Sequence, residues 1–71
     1  MSESFRYVIA RPWTAQESDR GGLCIYMIHG GELHEGTMES AQAQLGYVKF
    51  MEREYRGDQY RIYPVTIGDP L

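Results

Sequence analysis

The run Leu23-Cys24-Ile25-Tyr26-Met27-Ile28-His29-Gly30-Gly31-Glu32-Leu33-His34-Glu35 decides the fold. Its first seven positions are the most apolar stretch of the chain, and Gly30-Gly31 supplies the positive-φ residues that a two-residue hairpin turn requires. The spacing predicts a strand over 23–29 that returns as a short polar strand over 32–35, which suits a sheet edge, where charge discourages unwanted pairing. In that register His29 lies across from Glu32 and Met27 across from His34.

Working upstream, Phe5 to Arg11 is rich in β-branched and aromatic residues and is closed by Pro12, which reads as a first strand. Pro12 to Gly22 is polar except for Trp13 and shows no period of 2 or 3.6, so a long loop is expected there. Downstream, Gly36-Thr37 opens a helix, with Thr37 as N-cap and Glu39 in the first turn, where the helix dipole favours negative charge. Met38, Ala41, Leu45, Val48, Met51 and Tyr55 recur at spacings of three and four and predict one apolar stripe facing the core. That helix is expected over about 38–56, ended by Gly57-Asp58. Gln59 to Ile67 reads as a last strand, with Pro64 marking an edge or a bulge.

The expected architecture is therefore α+β, a single domain over residues 1–71: a four-stranded, mainly antiparallel sheet with one helix packed on one face, in the order β-β-β-α-β. One helix covers one face of such a sheet. Side chains alternate across a strand, so Cys24, Tyr26 and Ile28 oppose Leu23, Ile25 and Met27, and both sets are apolar. Strands with two apolar faces read as covered on both sides. The second cover must come from the Pro12 to Gly22 loop with Trp13 as a plug, from a second copy of the chain, or from a different protein. Which face the helix takes stays open at this level.

Seventy-one residues bury only about 60% of the unfolded surface, and such cores supply roughly 3–5 kcal/mol unless something is added. Cys24 is the one cysteine, so no intramolecular disulfide forms, and a lone thiol in an apolar run points to a reducing, cytoplasmic setting. The first residues lack the basic start and apolar stretch of a signal peptide, and no apolar run approaches the roughly 20 residues needed to span a bilayer. Ten acidic and seven basic residues, net charge −3, are scattered without a basic block, which argues against nucleic acid as a partner.

No arrangement of catalytic residues stands out, and neither enzymatic activity nor a cofactor is expected. His29, Glu32 and His34 form the one cluster with metal-ligand chemistry, two imidazoles and a carboxylate on one hairpin face, set against the plainer reading of solvated turn residues. Strand parity puts Cys24 on the opposite face from both histidines, so no thiol–imidazole pair forms. Gly21-Gly22 and Gly30-Gly31 lack the lysine or following helix that phosphate binding needs. Trp13 lies between Arg11 and Arg20, the composition of a protein-interface hot spot or of a core plug with solubilising arginines. Tyr7, Tyr60 and Tyr63 add amphipathic aromatics from the strands, although tyrosine is also a good strand former.

The reading that follows is a non-enzymatic protein-binding module that occludes a partner's surface through Trp13, Arg11, Arg20, Tyr7, Tyr60 and Tyr63. The alternatives are a structural homodimer subunit and, behind it, a small metal-binding protein using His29, Glu32 and His34. In size, lone cysteine and mild acidity the chain is similar in style to short inhibitor or accessory proteins of phages and other mobile elements, a likeness that covers no specific residues.

Overall fold

Phe5–Pro12 forms the central strand, β1, and every other strand pairs with it. The computed structural model describes residues 3–28 and 30–65. After β1 come β2 (Leu23–Ile25), β3 (His34–Gly36), the helix α1 (Met38–Met51), a 3-10 turn (Gly57–Gln59) and β4 (Arg61–Pro64). The sheet is four-stranded and antiparallel, with one helix, in the order β-β-β-α-β.

The register defines how the strands are arranged. Ala10 pairs with both Ile25 and Arg61, and Tyr7 pairs with both His34 and Pro64. A strand has two edges, so β4 holds one edge of β1, while β2 and β3 lie end to end along the other. The expected hairpin between residues 23–29 and 32–35 is thus corrected: its two halves both pair with β1. The turn between them is closed by reciprocal backbone bonds of Ile28 and Gly31, at 2.9 and 3.0 Å. Gly30, at φ +77°, is a turn residue, but Gly31 has already rejoined the ladder, so the Gly30-Gly31 turn is shifted by one position. Burial explains the difference. Leaving the β1 edge after Tyr26 lets Ile28 enter the core, where it is buried beside Tyr7 and Ile9.

In α1 the Thr37 hydroxyl accepts the Ser40 N–H at 3.2 Å, the expected N-cap, and Glu39 occupies the first turn. The helix ends at Met51 rather than near Arg56. Gly57 sets this earlier stop: its N–H bonds to the Glu52 carbonyl at 3.0 Å, and a Cβ there would sit 2.7 Å from the Lys49 carbonyl oxygen. That close approach requires glycine, and it is reached through Arg56 in the left-handed region at φ 59°. The 3-10 turn takes up the start of the expected last strand, so β4 begins at Arg61. Pro64 ends it on a sheet edge, as expected, whereas residues 66 and 67 lie outside the described residues.

The core consists of Tyr7, Ile9, Ile28, Ala41, Val48 and Tyr60, with Phe5, Tyr26, Leu45 and Ile62 packed at its margin. This settles which face the helix covers: the one carrying Tyr7, Ile9, Tyr26 and Ile28. The apolar stripe of α1 is narrower than its sequence spacing indicates. Ala41, Leu45 and Val48 face the sheet, whereas Met38 and Met51, at the two ends of the helix, and Tyr55, past its end, are exposed. Among the described residues no helix is long and apolar enough to cross a membrane.

Candidate protein-binding face

The face of the sheet away from α1 is built by alternation. On β1 it carries Arg6, Val8, Ala10 and Pro12, and cross-strand partners share a face. The register therefore adds Leu23 and Ile25 from β2, Glu35 from β3, and Arg61 and Tyr63 from β4. Ala10 is fully buried at its centre, between Ile25 and Arg61, and Val8 and Tyr63 are half-buried. Leu23 and Ile25 remain 40% and 38% exposed. Charged groups form the rim: the Arg6 Nε donates to Glu35 at 3.4 Å, and the Arg61 guanidinium donates to the Asp58 and Tyr60 carbonyls at 2.7 and 2.8 Å.

The 13–22 loop does not fold over this face. It is a hairpin loop between β1 and β2, closed where the Trp13 N–H bonds to the Gly22 carbonyl at 3.0 Å, and it is anchored on the helix side of the sheet. The anchor is Arg11. Following Tyr7 and Ile9 in the alternation, its side chain turns inward, and the residue is only 4% exposed. Its two terminal nitrogens make parallel bonds of 2.9 Å to both oxygens of Glu17, the bidentate geometry that guanidinium and carboxylate favour. The rings of Trp13 and Tyr55 lie 5.5 and 5.3 Å from the guanidinium carbon, within cation–π range, and the Tyr55 hydroxyl donates to Glu17 at 3.2 Å.

Glu17 is positioned by its own turn. Its N–H donates to the Thr14 hydroxyl at 3.2 Å, and its carboxylate accepts the Thr14 N–H at 3.0 Å, the reciprocal pair of a capping box. The Arg11 hydrogen bonds, followed by the Thr14 N–H, hold the Glu17 carboxyl well below the usual carboxylate range. Reciprocally, the Glu17 bonds raise Arg11 against a smaller opposing effect of burial. The Arg11 Nε is buried without a partner.

These positions sort the residues that the sequence singles out. Tyr63 is on the open face. Trp13 is 37% exposed, packed on the Arg11 guanidinium at the end of the sheet rather than plugging the open face, and Arg20 is exposed in the loop. Tyr7 and Tyr60 are buried under the helix and Arg11 is buried in its clamp, so these three are corrected from surface to interior. Tyr60 meets Tyr26 edge-on at 5.7 Å between centroids, and burial pushes its phenol up.

The register behind the metal reading differs from the expected one. His34 pairs with Tyr7 instead of Met27, its ring 5.5 Å from the tyrosine ring, and its Nε2 is buried without a partner. Glu32 is exposed, and His29 lies outside the described residues. Among the described residues no group of three or more histidine, cysteine or acidic side chains is placed to hold a metal ion. Sequence reasoning missed Glu17 and Tyr55 as partners of Arg11; the spacing Thr14-x-x-Glu17 was the available signal. Compared with known proteins, the chain matches no family model, no curated protein and no solved structure.

Proposed function

We propose that this chain is a non-enzymatic protein-binding module, acting in the cytoplasm, whose open sheet face docks on another protein and occludes the surface it covers. The observation that carries the reading is the uncovered pair Leu23 and Ile25, apolar and exposed beside the half-buried Val8 and Tyr63. An apolar centre with a charged rim is the anatomy of a protein interface. Arg6, Glu35 and Arg61 supply that rim, while Trp13, packed on Arg11, is a further exposed aromatic at the end of the sheet on its helix side. A free thiol at Cys24 suits a reducing compartment.

The test compares wild-type protein with the double variant Leu23→Ser/Ile25→Ser as bait in the native host lysate. Both substitutions are at exposed positions, so the circular dichroism spectrum should be unchanged. Partners held through the open face are captured by the wild type and lost with the variant; identical capture by both would sink the proposal.

A further inference from the structure

We infer that the outward face of α1 pairs antiparallel with the same face of a second copy of this chain, about a two-fold axis passing between Gly46 and Tyr47. At 100° per residue, Ala43, Gly46, Tyr47 and Phe50 share the side of the helix opposite Ala41, Leu45 and Val48, which face the sheet. This side should be polar in a helix that faces water. Instead, none of the exposed residues from Ser40 to Met51 is charged, and Phe50 and Tyr47 are 61% and 51% exposed.

Two features identify the occupant as another copy rather than an unrelated protein. The first is steric. Small residues occupy the N-terminal half of the ridge and aromatic ones the C-terminal half, spaced symmetrically about the midpoint of Gly46 and Tyr47. A two-fold antiparallel pairing sets each Phe50 against the partner's Ala43, large into small, and, because such an axis keeps each flank of the ridge against the same flank of the partner, brings the two Gly46 together on one flank and the two Tyr47 together on the other. Gly46 fits this role: a glycine within a helix is unfavourable, and a Cβ there would meet nothing within 4 Å in the chain itself, so internal packing does not require it.

The second feature is charge. Glu39 is exposed at the start of the helix, and Arg53 is exposed just past its end, its guanidinium 4.3 Å from the Phe50 ring and bonded to the Phe50 carbonyl at 2.8 Å. Antiparallel pairing opposes the two helix dipoles and brings each Glu39 to the level of the partner's Glu54 and of Arg53 next to it, the cation being the group that lies over the ridge at Phe50. Parallel pairing would place like ends together. The contact is one helix of 14 residues, about 21 Å long, and is therefore small and weak by the standard of permanent dimers. It leaves the open sheet face of each copy pointing outward, independent of what docks there.

Sedimentation equilibrium over about 10 μM to 1 mM tests the pairing, because a small interface dissociates within that range. The wild type should shift from monomer to dimer. Ala43→Glu and Phe50→Lys, both at exposed positions, should each raise the dissociation constant at least ~10-fold without changing the circular dichroism spectrum. Mixing the two variants should restore a heterodimer, since Glu at 43 then meets Lys at 50 while the other Phe50–Ala43 contact stays native. A wild type that remains monomeric overturns the inference. So does a dimer indifferent to both substitutions, or one that mixing fails to restore.

Discussion

At the end of β1 the alternation that buries Tyr7 and Ile9 also turns Arg11 inward, and the fold answers that charge with Glu17. A buried cation is costly unless paired, so the clamp matters less for its own strength than for the penalty of leaving Arg11 alone. The exposed pair Arg6–Glu35 is the natural control, since its loss leaves both partners in water. Glu17→Gln is therefore expected to lower the melting temperature clearly, and Glu35→Gln to change it by less than about 2 °C, as followed by circular dichroism. The pH dependence has a definite sign. Glu17 titrates lower in the folded chain than its ordinary value of about 4.5, so its contribution is complete above that pH and is lost as acid protonates it. Wild-type stability should fall below about pH 4.5 more steeply than that of Glu17→Gln; parallel acid curves would show that the clamp is not what holds Arg11. Arg11 looked like a surface residue in the sequence because its exposure depends on which sheet face the helix covers, and both faces are apolar.

At the scale of elements, the strands, the N-cap at Thr37 and the helix were legible because each has a local cause: β-branched runs, a capping hydroxyl, a period of three and four. The boundaries that shifted have non-local causes. Residues 23–29 did not hairpin with 32–35 because β1, eight residues long, offers a longer edge to both, and because Ile28 gains burial by leaving the ladder. Helix α1 stops at Met51 because Gly57 must pass against the Lys49 and Glu52 carbonyls before the chain can return as β4. Two glycine substitutions separate these causes. Gly46→Ala, in open space within the helix, should stabilise the dilute monomer by up to about 1 kcal/mol through helix propensity. Gly57→Ala should destabilise it, because its Cβ meets backbone that cannot rotate away. Urea denaturation of the two variants reads both signs, and a Gly57→Ala protein as stable as wild type would refute the account of the helix stop.

For the whole molecule the governing fact is a single, thin core on one side of the sheet. Ile9 and Val48 are the largest side chains fully removed from water, one at the centre of β1 and one on α1, and both belong to the one core cluster between helix and sheet. Among the apolar residues that this contact leaves exposed, Leu23 and Ile25 face outward on the sheet and Tyr47 and Phe50 on the opposite, helix side. Two isoleucines in neighbouring strands therefore have opposite physical meanings. Ile9 pairs with β4 and faces the helix, whereas Ile25 pairs with Ala10 and faces away. Truncating a buried isoleucine to alanine costs about 2–5 kcal/mol, comparable to the roughly 3–5 kcal/mol that a core of this size supplies. Ile9→Ala should thus lose most of its stability and be partly unfolded at 25 °C. Ile25→Ala removes as many atoms from a surface already in water and should cost less than about 1 kcal/mol. Urea denaturation of the dilute protein distinguishes the two, and an Ile25→Ala loss as large as that of Ile9→Ala would mean that the open face is covered within the single chain and is not free to bind anything.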